Sequence, residues 1–453
     1  MNRFVKYTIA AGVGLMLTGC NIYKKYEMPT ADSAIVADYA KASEAAADSA
    51  SLPYLGWEQV FTDPQLQNLI RLALDNNKDL ENARLNVDIA RAQLKGAKLS
   101  YFPSAALNPN GAGASYDGSR MSWTYQIPLA LNWEIDAFGK ILNRKRGAQV
   151  AVDQMEAYRQ AAQSQIVCGV ANVYYTLVLL NQQLDLTRRT SEIWKEQVES
   201  MELMKQAARV NEAAVVQSRA NYYSVLSTIP DLERQIHITQ NTLSLLLNTY
   251  PQTWEVTSNL SFDLPSALTQ GVPMTYLAAR PDVKAAERSL AVAYYATNSA
   301  RANFYPSINI SSNGGFTNLL GSFIANPGKW FIQLAGQLTA PLFSRGQNIA
   351  TQQQALNNFE YAVLNASAEV SDALVELDKN GQKREYILQQ IDQLEKSVEY
   401  TQELLTLGNP GTTYLEVLTA RSGLLQAQLS SLACWHARAA ALVSLYQAVG
   451  GGR

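Results

Sequence analysis

Between Met121 and Asp136 apolar side chains take every second place. Trp123, Tyr125, Ile127, Leu129, Leu131, Trp133 and Ile135 alternate with Ser122, Thr124, Gln126, Ala130, Asn132, Glu134 and Asp136. A period of two is that of a strand with one greasy and one wet face. The pattern recurs where Trp330, Ile332, Leu334, Leu338 and Leu342 alternate with Lys329, Gln333, Gln337 and Thr339, and a weaker strand precedes each, near 104–115 and 307–317. A soluble sandwich alternates in the same way, but aromatic-ended strands of about ten residues suit a transmembrane β-barrel with a polar lumen. Four strands cannot close such a barrel, and an open edge in lipid leaves backbone groups unpaired. The chain must therefore oligomerise: a trimer supplies twelve strands and a dimer eight.

Elsewhere the period lengthens to that of a helix. No proline interrupts Leu129 to Ile229 or Leu342 to Asn409, and the second window would run about 100 Å as α-helix. Ile387, Ile391, Leu394, Val398, Thr401 and Leu405 step by four and three, and the stepping resumes after Gly408-Asn409-Pro410-Gly411 at Leu415, Leu418, Ser422, Leu425 and Leu429. Leu184, Thr187, Ser191, Trp194, Val198 and Met201, then Val215, Tyr222, Leu226 and Ile229, do the same in the first half. This is coiled-coil spacing, and it predicts two antiparallel helical hairpins, each with a tip turn. The chain is also written twice. A helical stretch from Asp79-Leu80 to Tyr101-Phe102-Pro103-Ser104 returns as Asp282-Val283 to Phe304-Tyr305-Pro306-Ser307, each followed by strands and a long proline-free segment. Two copies of one unit point to a ring or tube rather than a cleft.

The N-terminus gives an address. Arg3 and Lys6 precede a short apolar run, Tyr7 to Leu17, and Leu17-Thr18-Gly19-Cys20 matches a lipobox. The expectation is cleavage before Cys20 and a diacylglycerol plus a fatty acyl group on that cysteine, the one covalent lipid and no other cofactor. Asn21, in place of an inner-membrane-retaining Asp, directs the protein to the outer membrane, facing the periplasm. Residues 27–53, rich in Ala, Ser and Asp, read as an extended tether. A net charge of -2 and a pI near 5.9 give no footprint for nucleic acid. Cys168 and Cys434 read as buried free thiols. His237 and His436, the only histidines, stand in no nucleophile or metal constellation, and the glycines form no phosphate loop, so neither catalysis nor a metal site is expected.

Taken in order, several weak motifs resemble the TolC-like outer-membrane factor family, in its branch of tripartite (RND-type) efflux lipoproteins. They are Trp57, Phe61, Asp63-Pro64, Leu66, Leu69-Ile70, Ala73-Leu74, Asn77 and Asp79-Leu80; Arg280-Pro281-Asp282-Val283 with Ala285-Ala286-Glu287; Trp133-Glu134-Ile135-Asp136-Ala137-Phe138-Gly139-Lys140; Ile229-Pro230-Asp231; and Leu445 to Gly452. Tyr26 and Pro29 match the Tyr-x-x-Pro that follows the acylated cysteine of family lipoproteins. The resemblance implies a mainly α fold with a small β part: a homotrimeric twelve-stranded outer-membrane β-barrel continuing into a twelve-helix periplasmic α-barrel, with two repeats per chain. The divisions are then a signal peptide over 1–19, a lipidated extended tether over 20–56, repeats over 57–250 and 280–453, and an equatorial linker over 251–279. The protein would be the exit duct of a tripartite efflux system, a passive conduit for small molecules opened by a periplasmic adaptor and an inner-membrane pump. Two alternatives stay open: a duct for type I protein secretion, and a lipid-anchored periplasmic coiled-coil protein.

The resemblance also assigns sites. The strand residues Trp123, Tyr125, Ile127, Leu129, Leu131 and Trp133, with Trp330, Ile332, Leu334 and Leu338, would face lipid. The tips Arg209, Val210, Asn211 and Glu212, and Gly408, Asn409, Pro410, Gly411 and Thr412, would meet the adaptor. Family tips carry a glycine, as Gly411 does, but the first tip has none. Leu415 would stand on the first inward-facing position of the last helix, where three copies converge on one axis. The acid that the family places four residues on is Thr419 here, with Glu416 as the neighbouring candidate.

Overall fold

The computed structural model describes residues 23–30, 33–48, 56–115, 117–257, 274–319, 329–339, 347–408 and 413–451; Cys20 and the tip residues Asn409, Pro410, Gly411 and Thr412 lie outside them. The chain is mainly helical with a small sheet. In order it forms α1 (Ala34–Asp48), α2 (Trp57–Val60), α3 (Pro64–Asn76), α4 (Lys78–Leu99), β1 (Ser104–Leu107), β2 (Asn110–Ala114), β3 (Ser122–Ile135), α5 (Lys140–Gln206) and α6 (Glu212–Leu246). There follow α7 (Met274–Ala279), α8 (Pro281–Ala302), β4 (Ser307–Leu319), β5 (Lys329–Thr339), α9 (Gln347–Leu407) and α10 (Tyr414–Ala448). Helices α4 and α8 both have 22 residues, α6 and α10 both have 35, and α5 and α9 have 67 and 61.

One expectation is corrected. Within the segment read as an extended tether, Ala34–Asp48 is helical, and Val36, Tyr39 and Ala42 are buried. Its alanines favour helix, while three apolar positions spaced three apart are too sparse a stripe to announce it.

The described chain divides into two units. The first takes its residues from 1–37, 84–157 and 284–362, the second from 38–83, 158–283 and 363–453, so each draws on both halves of the sequence. The second unit holds the larger core. Val167, Val170, Ala171, Tyr174 and Leu177 of α5 are buried, as are Ala439, Ala441, Leu442, Val443, Leu445 and Tyr446 of α10. The apolar run of α5 is long enough by composition to cross a membrane, but these side chains are packed inside protein. Phe61 meets the Tyr446 ring edge-on at 5.3 Å. Asp63 caps α3 through Gln65 N at 2.8 Å, with Pro64 in the first turn, and its other oxygen accepts the Tyr174 hydroxyl at 2.6 Å. Asn77 caps α4 through Asp79 N and Leu80 N, and its amide donates to Leu246 O at 2.9 Å. Cys168 and Cys434 are buried free thiols, as expected, and burial pushes Cys168 up to about 12.

The sheet lies wholly in the first unit. It is antiparallel, in the order β1-β3-β4-β5, with β2 also on β3. β1 and β2 are therefore one edge strand broken at Asn108-Pro109. The break lies beside Pro128 of β3, whose carbonyl accepts Asn108 N at 3.1 Å. A proline inside a strand removes a ladder donor, and both neighbours accommodate this one. The edge strand is interrupted on one side, and on the other Pro128 stands opposite Gly315. A Cβ built on Gly315 would sit 2.8 Å from Pro128 Cα and closer still to the Ile127 carbonyl oxygen, so only glycine fits.

Candidate functional site

The register sorts the sheet into two faces. One row-by-row face holds Leu107, the odd positions of β3, Ile308, Ile310 and Phe316 of β4, and Trp330, Ile332, Leu334 and Leu338 of β5. The other holds Gln126, Asn132, Glu134, Asn309, Ser311, Asn313, Gln333 and Gln337. The sequence shows this division clearly in β3 and β5; for β4 it emerges only from the register, because Ser312 and Gly314 dilute its alternation. Among the residues expected to face lipid, Trp123, Leu129, Leu131, Trp133, Trp330, Ile332, Leu334 and Leu338 are exposed and Ile127 is half-buried. Tyr125 is the exception, 8% exposed. Gly111 opposite it offers no side chain, the setting in which an aromatic ring covers bare backbone.

Strand turns into helix at Asp136. Its carboxylate accepts Ile141 N at 3.0 Å and Leu142 N at 2.7 Å, capping α5, and Gly139 at φ +72° makes the corner. Lys140 pairs with Glu134 at 2.8 Å.

At the first tip α5 ends at Gln206, and Ala208 takes the left-handed conformation at φ +54°. Gly408 takes it after α9, at φ +75°. Where α9 leaves its last turn through a glycine, α5 does so through an alanine held in the same left-handed conformation. Asn211 then caps α6, accepting Ala214 N at 3.1 Å, and Glu212 pairs with Lys205 across the turn, which holds its carboxyl below the usual range. Arg209 reaches the other hairpin, donating to Thr406 O at 3.3 Å in the last turn of α9. Val210 is half-buried beside it.

The proposed gate residues share an open side of α10. Leu415 is 57% exposed, and Glu416 and Thr419 are exposed, whereas Leu418 is 3% exposed. Thr419 spends its hydroxyl on Leu415 O at 2.8 Å. Of the histidines, His237 is exposed. His436 meets Thr176 Oγ1 at 3.1 Å; that hydroxyl already donates to Asn172 O, so Nε2 is the donor, and burial lowers the imidazole pKa. Among the described residues there is no group of three or more side chains suited to a metal ion.

Sequence reasoning noticed Arg280 as a motif but not its role. Its guanidinium, 3% exposed, binds Asp282 twice, at 3.0 and 2.7 Å, Glu369 at 2.6 Å and the Ala448 carbonyl at 3.1 Å. Burial alone would lower its basicity and raise Asp282; the paired charges outweigh burial, holding Arg280 above and Asp282 below their ordinary values. Gly450, at φ +81°, lets the chain end pass against Arg280, where a Cβ would come within 3.2 Å of backbone. Arg280 thereby ties α8, α9 and the C-terminal end of α10 together. An arginine followed by Pro-Asp is the only local signal; the Glu369 partner lies 89 residues away.

The family model described as outer membrane efflux protein matches residues 69–249 and 272–451. The cation efflux system protein CusC of Escherichia coli is 30% identical over 465 residues, 97% of each chain. The probable outer membrane lipoprotein SilC of Salmonella typhimurium is 29% identical, over 88% of each chain. The toluene efflux pump outer membrane protein TtgC of Pseudomonas putida is 28% identical, over 98% of this chain and 94% of its own. A crystal structure of CusC, solved in a study of its folding and transmembrane channel formation, superposes with a TM-score of 0.78 over 89% of this chain and 96% of its own, at 26% identity. A two-faced sheet, paired helical hairpins and a lipobox agree with these likenesses: the chain belongs to the outer membrane efflux protein family.

Proposed function

We propose that three copies of this chain form a passive exit duct for small molecules, closing a twelve-stranded barrel in the outer membrane above a twelve-helix periplasmic tunnel. The observation that carries this reading is the sheet. It has one apolar and one polar face, and among the described residues β1/β2 and β5 are its edges. In lipid those edges must be paired, and three four-strand sheets placed edge to edge do so with the polar face inward. Strands β3, β4 and β5, of 14, 13 and 11 residues, are long enough to span a bilayer at the usual tilt. The family matches over 69–249 and 272–451 support the division into two repeats.

Cys20 carries the acyl chains, and the tips around Arg209–Glu212 and Gly408–Thr412 receive the periplasmic adaptor that connects the duct to an inner-membrane pump. Leu415 forms the resting constriction, since it is a large apolar side chain left mostly exposed, and an apolar ring blocks ions by dewetting. Glu416, exposed beside it, supplies the acid that Thr419 does not. CusC and TtgC are named for cations and toluene, so the cargo follows the pump rather than the duct. The test is reconstitution: purified acylated protein should have the mass of three chains and open discrete conductances in planar bilayers. A single-chain species that leaves bilayers silent would refute the duct. Cys20→Ser should lose acyl labelling.

A further inference from the structure

The corner where helix turns into strand carries a concentration of charge that the conduit itself does not need. Tyr23 O accepts from Arg146 Nη1 at 3.2 Å, and the Tyr23 ring lies against Gly139. Arg301 and Tyr305 are close enough to the Tyr23 hydroxyl to act on it electrostatically, and Tyr305 stacks on Phe138 at 5.0 Å. Lys145 stands 5.9 Å over the Tyr101 ring, and Tyr101 O accepts the Trp133 indole N–H at 3.0 Å. Lys24, Lys25 and Arg144, each within two residues of Tyr23 or Lys145 along the chain, are exposed, as is Arg301. None of these basic groups is in an ion pair among the described residues. Of the nearby acids, Asp136 is used as a cap and Glu134 by Lys140, which leaves the exposed Glu27. A chain with net charge -2 thus gathers six cations at one corner, among aromatic rings of the kind that settle at a membrane surface.

Cys20 lies three residues before Tyr23 in the sequence. Its acyl chains, on the reading above, hold this corner against the headgroups of their own leaflet. We propose that the corner is a binding site for anionic glycerophospholipid headgroups, with Arg144, Lys145, Arg301, Lys24 and Lys25 meeting the phosphodiester and the aromatic rings meeting the glycerol and upper acyl region. Basic residues at an anionic surface each contribute about fivefold in affinity, so the site should choose phosphatidylglycerol over zwitterionic phosphatidylethanolamine.

Native mass spectrometry of the acylated protein with equal amounts of the two lipids reads this directly. The intact protein should retain phosphatidylglycerol in preference. Lys24→Gln/Lys25→Gln/Arg144→Gln/Arg301→Gln, which leaves the Arg146–Tyr23 and Lys145–Tyr101 contacts in place, should weaken that binding by at least about tenfold. Lys78→Gln/Lys195→Gln, removing exposed charges from the second unit, should leave it unchanged. Equal retention of both lipids, an undiminished preference in the quadruple variant, an equal loss in the control, or displacement of the lipid by inorganic phosphate would overturn the site. The same spectra count chains and acyl groups, so a failure of the trimeric lipoprotein reading is seen separately from a failure of the lipid site.

Discussion

Leu129 sits at the middle of the 14-residue strand β3, on the apolar face, with Leu107 and Gly314 beside it in the same cross-strand row. If that face meets hydrocarbon, an arginine there costs about 2–4 kcal/mol per chain, or roughly 6–12 kcal/mol for three copies. Even the lower figure is about a thirtyfold shift in the equilibrium of each subunit. The control belongs on the opposite face. Ala130 is a poor choice, being 8% exposed, because an arginine would collide there whatever the solvent. Asn132 is exposed and polar and stands among Ser104, Ser311 and Glu134. The assay is the fraction of heat-modifiable, detergent-stable oligomer recovered from outer membranes at equal expression. Leu129→Arg should deplete it severely and Asn132→Arg should leave most of it. Equal yields from the two variants would show that neither face meets lipid.

Three further outcomes are expected. Arg280→Met strands two half-exposed carboxylates and the Ala448 carbonyl; after discounting for solvent it should cost about 2 kcal/mol in denaturant melts. Because Asp282 is held below its ordinary pKa, the native protein should lose this contribution as pH falls below about 4, while the variant's stability should be flatter there; parallel pH profiles would refute the pairing. Leu415→Ala should raise resting conductance with little change in stability, and Leu418→Ala should lower stability by about 2–5 kcal/mol with conductance unchanged; the reverse pattern would move the constriction elsewhere. Gly315→Ala forces β3 and β4 apart at Pro128 and should reduce assembled oligomer without altering helical content, as circular dichroism and gel migration would show.

The strands and long helices were legible because their periods run unbroken for many residues. Trp123 to Ile135 can hardly be anything but a two-faced strand, and the stepping from Ile387 to Leu405 places α9 without help from its neighbours. Turn chemistry was legible where one side chain does the work, as at Asp63 before Pro64. What stayed hidden depends on distant partners. Pro128 looks wrong for a central strand until the register sets Gly315 opposite it and the break at Asn108 beside it. Arg280 looks like a surface charge until Glu369 and the Ala448 carbonyl close on it. Ala208 gives no local sign of its positive φ, since alanine pays about 1 kcal/mol for a conformation that the hairpin imposes. The helix Ala34–Asp48 was missed because its buried side is only a few small or isolated apolar residues wide.

The central claim is that three sheets join edge to edge, β5 of one chain beside β1 of the next. Cysteine cross-linking in intact membranes tests it most directly. Ala106→Cys on β1 would be paired in turn with cysteines at Phe331, Gln333, Ala335 and Gln337 along the same face of β5; the native Cys168 and Cys434 are buried and stay out of the reaction. The account predicts that at least one pair gives a covalent ladder ending at three chains. A ladder ending at two, one that runs on without limit, or no cross-link at any of the four positions would contradict it.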